Sequence, residues 1–162
     1  MGPWHWPADP GHRRKGGSIM SDTADGLITE DMADLLAGTG LAYVASVNPD
    51  GTPNLSPKSS VRACDGENLV FANVASPRTI RNIAINSAVE INVFDPARRR
   101  GFRFRGTAEL VHDPELVDLV AAELGPEYPI DGVVKIRVEA ATPVWSPVYS
   151  SEDIGGGPTA GG

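Results

Sequence analysis

Apolar positions in this chain change their spacing several times between Leu27 and Tyr149, and each change marks an element. In "ITEDMADLLAGTG", Met32, Leu35 and Leu36 fall three to four residues apart and form one stripe. Thr29 precedes them as a cap, Glu30 and Asp31 occupy the first turn, and Gly38 or Gly40 supplies the stop, so a helix is predicted. The β-prone run "LAYVASVN" follows. "PDG" turns it into "TPNLSPKSSVRA", and "DGEN" turns that into "NLVFANVA", which predicts a three-stranded antiparallel meander. A helix over 77–86 comes next, then the strand "AVEINVFD" and the loop "PARRRG". In "GFRFRGTAELV", Phe102 and Phe104 alternate with Arg103 and Arg105, giving a strand with one apolar and one cationic side. "DPELVDLVAAELGP" predicts a helix with Asp113 as cap, Pro114 at its first position, Glu115 in the first turn and Gly125-Pro126 as the stop. "GVVKIRVEAATPVW" closes the domain as a last strand, with Trp145 read as core.

Six strands, short turns and two or three helices predict a mainly β fold, a small antiparallel barrel with helices at its rims. The order is not βαβ, which argues against a Rossmann-type dinucleotide site. One folded domain is expected over residues 27–149, with a disordered N-terminal tail over 1–26 and a flexible C-terminal tail over 150–162. Met20 is a candidate natural start. No internal repeat is present.

Composition narrows the function classes. A chain of 162 residues, 41% hydrophobic and 22% charged, is expected to bury a real core. Its formal charge of -7 argues against nucleic acid or an anionic membrane as a partner. No run approaches the ~18 apolar residues of a membrane span, and the N-terminal stretch lacks the apolar region of a secretory signal. The expected compartment is the cytoplasm. The single cysteine, Cys64, excludes an intrachain disulfide and is read as a small semi-buried residue. His5, His12 and His112 are scattered, so no metal cluster or histidine triad is expected.

The charge is uneven. Residues 58–105 hold nine basic residues against four acidic ones, and the remainder holds five against seventeen. A local anion site and a solvated arginine face both account for this. Comparison of the helix starts sharpens the first reading. The helices at Thr29 and Asp113 place acids in their first turns, as the helix dipole favours. The one at Ser76 places Arg78 and Arg81 near its start with no acid. Hydroxyls of Ser76 and Thr79, the arginine and free backbone N–H groups would together form a phosphate cradle. The plainer reading makes Ser76 an N-cap, Pro77 a helix starter and Arg78 a surface side chain.

The core from "LAYVASVNPDGTPNLSPKSSV" through "LVFANVASPRTIRNIAINSAVEINVFD" to "RGFRFRGTAEL" resembles the FMN-binding split-barrel family related to pyridoxamine 5'-phosphate oxidase. The resemblance covers roughly residues 28–146 and lies in the order of the pieces. It implies a six-stranded antiparallel split β-barrel that forms a homodimer, with FMN in grooves at the subunit interface. It places Ser56, Pro57, Lys58, Ser59, Ser60 and Arg62 along the flavin ring and ribityl chain, Asn73 at a strand end touching the flavin, and Ser76, Arg78 and Thr79 at the phosphate. Arg100, Gly101 and Phe102 match a segment that approaches the cofactor, often from the partner chain. A cation such as Lys58 near the ring would stabilise the reduced, anionic form. The C-terminal "TPVWSPVYSSED" lacks the basic substrate clamp of the oxidase itself, which argues against oxidation of pyridoxamine phosphate. The implied function is a flavin-dependent oxidoreductase passing hydride or electrons to a small acceptor, with a donor such as NAD(P)H and no side chain singled out as catalytic. Alternatives are a deazaflavin-dependent reductase, whose acidic cofactor tail would suit "ARRRGFRFR", and a flavin-binding electron carrier. His112 as a haem ligand is a further alternative that the resemblance allows, against which a helix-flanking histidine is more often a surface or capping residue; a nucleic-acid reading of the arginine strand comes last.

Overall fold

A computed structural model describes residues 26–145; the two tails, with His5, His12 and Met20, lie outside the described residues. Helix α1 spans Glu30–Thr39. Thr29 Oγ1 accepts a hydrogen bond from the Met32 N–H, and Gly40 ends the helix in the left-handed conformation at φ 66°. Strand β1 (Ala42–Val47) and strand β2 (Pro53–Lys58) form a hairpin, followed by the short β3 (Arg62–Ala63) and β4 (Asn68–Ala72). Helix α2 runs Pro77–Ile85, β5 Ala88–Asp95, β6 Arg100–Val111, α3 Pro114–Ala121 and β7 Val133–Trp145. Asp113 caps α3 by accepting from the Glu115 N–H. That helix stops at Ala121, short of the expected Gly125, and single turns carry the chain on.

All seven strands join one curled antiparallel sheet in the order β2-β1-β5-β6-β7-β4-β3, the split-barrel architecture with one strand more than expected. The extra strand arises because "TPNLSPKSSVRA" is not one strand, and the expected three-stranded meander does not form. Its first part, β2, pairs with β1 at one edge, whereas β3 and β4 pair with each other and with β7 at the opposite edge. Pro53 and Pro57 explain the break: prolines lack the N–H of a ladder donor and confine β2 to an edge. The chain crosses between edges through Ser59–Val61. Ser60 is buried there, its Oγ accepting from the Ala72 N–H at 3.0 Å.

Alternation sorts the faces. Val44, Ile91, Val93, Phe102, Phe104 and Ile136 point inward, where Leu35 and Leu36 of α1 and Ile83 of α2 cover them. Both faces of β4 are buried. Leu69 and Phe71 enter that core, while Val70 and Ala72 join Val120 and Val133 beneath α3. A continuous apolar run such as "LVFA" is what a strand covered on both sides requires. At roughly 25 cal/mol per Å² of apolar surface removed from water, these two clusters dominate the stability of the fold. Gly101 packs against the Val93 carbonyl and Gly106 against the Arg137 carbonyl, each where a Cβ would collide with backbone. Gly106 sits at the irregularity where β6 shifts register against β7. Trp145, expected in the core, is instead 46% exposed at the end of β7.

Candidate functional site

The site grows from the inward row of β2. Asn54, Ser56 and Lys58 alternate with the exposed Pro53, Leu55 and Pro57, so three polar side chains share the inward row, and Lys58 reaches the start of α2. The Lys58 ammonium donates to Ser56 Oγ at 2.9 Å and to Ser76 Oγ at 2.7 Å, and lies 5.6 Å from the centre of the Phe71 ring. No carboxylate pairs with it among the described residues. Burial accordingly pushes the lysine pKa down from its ordinary 10.5, because the charged form is the one that loses hydration. Ser76 Oγ donates to the Val74 carbonyl at 3.2 Å, which leaves its lone pairs for the lysine.

Ser76 occupies the N-cap position of α2, its carbonyl accepting from the Ile80 N–H, but its hydroxyl is turned to other partners. Its side chain makes no capping bond, and the first turn of α2 contains no acid. Ala75, just ahead, is held at φ 48°, a conformation that costs a non-glycine residue ~1 kcal/mol or more. Further along, Asn82 is fully buried and donates to Ser46 Oγ and to Asn48 Oδ1, both at 3.0 Å. Asn54 donates to the same serine at 3.2 Å. A polar seam thus runs between α2 and the β1–β2 hairpin.

Two cavities flank the Lys58–Ser76 contact. One of about 410 Å³ is lined by Lys58, Ser59 and Ser60, by Ala72 and Val74, and by Glu123 and Tyr128. The other, of about 570 Å³, is lined by Asn73, Ser76, Ile80, Arg81 and Asp131. The structure thus brings Ser56, Pro57, Lys58, Ser59, Ser60 and Ser76 together. Asn73 lines the second cavity with its amide donated to the Asp131 carbonyl at 2.8 Å. Thr79 is buried on α2, and Arg78 is exposed on its first turn, lining neither cavity. Arg62 sits behind the first cavity, paired with Glu123 at 2.6 Å. Arg100, Gly101 and Phe102 are not gathered with the others. Arg100 makes a two-pronged pair with Asp31 of α1 at 2.6 and 2.9 Å, and Phe102 belongs to the core.

Sequence reasoning missed Glu123 and Asn82. Glu123 follows directly on the C-terminus of α3, where an acid stands against the helix dipole as much as Arg78 does at an N-terminus. The same signal, applied to acids, points to it. Asn82 gives no such signal, because a mid-helix asparagine reads as solvent-facing.

Other chemistry finds little support in the geometry. The Cys64 thiol is pushed up to about 11, by burial first and the Asp65 carboxylate second, so it stays protonated at neutral pH. His112 is exposed, 3.8 Å from Asp131. Among the described residues no three His, Cys, Asp or Glu side chains cluster as metal ligands, and no helix is long and apolar enough to cross a membrane.

The family model for pyridoxamine 5'-phosphate oxidase matches residues 28–144, almost all of the described fold. The chain belongs to that family. Solved structures agree with the assignment. HupZ of Group A Streptococcus is 32% identical over 74% of this chain and 95% of its own, with a TM-score of 0.65. A protein described as an F420 reductase is 30% identical over 71% of this chain and 98% of its own, with a TM-score of 0.57. An FMN-binding protein from Syntrophomonas wolfei shares the fold at a TM-score of 0.64, covering 74% of this chain and 87% of its own, at 14% identity. No curated protein matches the chain.

Proposed function

We propose that this protein is a flavin-dependent oxidoreductase that holds FMN between the end of β2 and the start of α2. The observation that carries the reading is Lys58: a half-buried ammonium satisfied by two hydroxyls and an aromatic face, beside a cavity, with no carboxylate paired to it among the described residues. A cation in that setting fits an anionic or electron-rich ligand. The uncapped first turn of α2 adds backbone N–H donors for a phosphate, with Arg78 alongside. Ser76 acts through Lys58, because its own proton is already given to Val74. When bound, FMN supplies the acceptance and release of electrons or a hydride; the chain's residues position it and set the charge around it. Ser56, Pro57, Ser59 and Ser60 form the wall for the ring and ribityl chain, Asn73 and Thr79 stand at the strand and helix ends, and Arg100, Gly101 and Phe102 are assigned to a groove completed by a second copy. A homodimer is supported by the outer face of the β1–β2 hairpin, where Tyr43 is 42% and Leu55 66% exposed.

A deazaflavin cofactor is the second reading, favoured by the 30% identity to the F420 reductase. Titration of the purified protein with FMN, riboflavin and a deazaflavin side by side, read by fluorescence, separates the two. FMN is expected to bind, and Lys58→Met to weaken it by about tenfold or more. Arg78→Ala is expected to weaken FMN well beyond riboflavin; equal losses would remove the phosphate role. Binding of the deazaflavin alone would replace the cofactor. Steady-state turnover with NADPH and an electron acceptor distinguishes an enzyme from an electron carrier, which would show stoichiometric reduction only.

A further inference from the structure

The cavity beside Lys58 has a second charged wall. Glu123 faces it from the turn after α3, and its Oε2 lies 2.6 Å from Arg62 Nη2. The two partners are unequally placed: the Arg62 side chain is 11% exposed and that of Glu123 45%. Arg62 is also anchored, with Nη1 donating to the Val61 carbonyl at 2.7 Å. Its Nε is buried with no hydrogen-bond partner among the described residues. Arg62 does not itself line the cavity; Glu123 does, and so stands between the guanidinium and the open space.

Two cations thus lie near the cavity, and one of them is withheld from it. Lys58 offers its charge to a ligand, while that of Arg62 is taken by a carboxylate of this chain. A second acidic group on a ligand would meet Glu123 before it met Arg62, and like charges in a partly desolvated space repel strongly. We propose that Glu123 is a specificity-determining residue, a charge filter that limits the cavity to ligands carrying one anionic group at that end, seated at Lys58. The inference rests on the reading that the Lys58 cavity is the ligand site; it is independent of which cofactor binds. Removing the carboxylate should uncover Arg62 and convert the cavity into one that takes two adjacent anionic groups.

The test is isothermal titration of the full chain with inorganic phosphate and with pyrophosphate. Glu123→Gln is expected to raise the affinity for pyrophosphate relative to phosphate on the order of tenfold. Glu123→Asp, which keeps the charge, should retain the unmodified ratio, and the double variant Arg62→Gln/Glu123→Gln should lose the gain. Should Glu123→Gln fail to fold, Glu123→Ala carries the same expectation. An unchanged ratio, a gain that survives without Arg62, or no binding of either anion by any variant overturns the proposal. FMN titration of the same preparations separates the two readings: a protein that ignores FMN yet shows the Glu123-dependent ratio loses the cofactor and keeps the filter.

Discussion

The Arg62–Glu123 pair illustrates how position decides what an ion pair contributes. A surface pair is worth little, but Arg62 is mostly buried, and removing its partner leaves a guanidinium with one carbonyl and no counter-charge. Arg62 also holds the Glu123 carboxyl below its ordinary 4.5, first by hydrogen bonding and then by charge. The folded state therefore binds a proton at Glu123 less readily than the unfolded chain. The stability so gained is present above the ordinary value and lost as pH falls through the depressed one. Urea unfolding between pH 6 and 3 is expected to show the unmodified protein losing stability faster than Glu123→Gln at the acid end, where this pair stops contributing. Parallel curves would mean that the pair is not formed in solution.

At the scale of elements, α2 differs from the other two helices in what fixes it. Helices α1 and α3 are capped by Thr29 and Asp113 and packed by apolar stripes, and both features are readable from residue types alone. Helix α2 packs Ile83 on the core but has no side-chain cap, and polar contacts hold it as well: Ser76 to Lys58 and Asn82 to Ser46 and Asn48. Asn82→Ala removes both of its donors at a fully buried position and is expected to cost about 1–3 kcal/mol in chemical denaturation. Hydrogen exchange should quicken in the β1–β2 hairpin as well as in the helix, since the bonds join the two. This seam was illegible in the sequence because its members lie eight to thirty-six residues apart and each alone resembles a surface residue. The oddity of the helix start at Arg78 was legible, whereas the lysine at its centre was visible only as part of a family pattern. Local patterns show caps and strand faces; they do not show which hydroxyl turns toward which ammonium.

For the whole molecule, the same limit applies to topology. Alternation located nearly every strand, but the pairing of β4 with β7 links residues more than sixty apart, and no local turn encodes it. The meander reading failed because its middle strand is split, β2 staying with β1 while β3 and β4 join β7 at the opposite edge. The sheet also leaves one outer surface apolar: Tyr43 opposes Pro57, Ala45 opposes Leu55, and Val47 opposes Pro53. If the homodimer proposed above uses this surface, Leu55→Lys is expected to convert it to a monomer in analytical ultracentrifugation with the unfolding midpoint of the single chain little changed. A dimer that persists would place the interface elsewhere.

The passage of the chain through Ser59–Val61 has a consequence for the order of assembly. Strands β1, β2, β5 and β6 can join as each is synthesised, every one beside a partner already made. The β3–β4 hairpin has no further strand neighbour until β7, the last strand, is complete, and closing that long loop carries the larger entropic cost. Until then Leu69 and Phe71 have no β7 beside them, although Phe71 is the ring beside the Lys58 ammonium. The β4 wall of the candidate cavity is thus joined to the rest of the sheet only once the last strand has emerged from the ribosome.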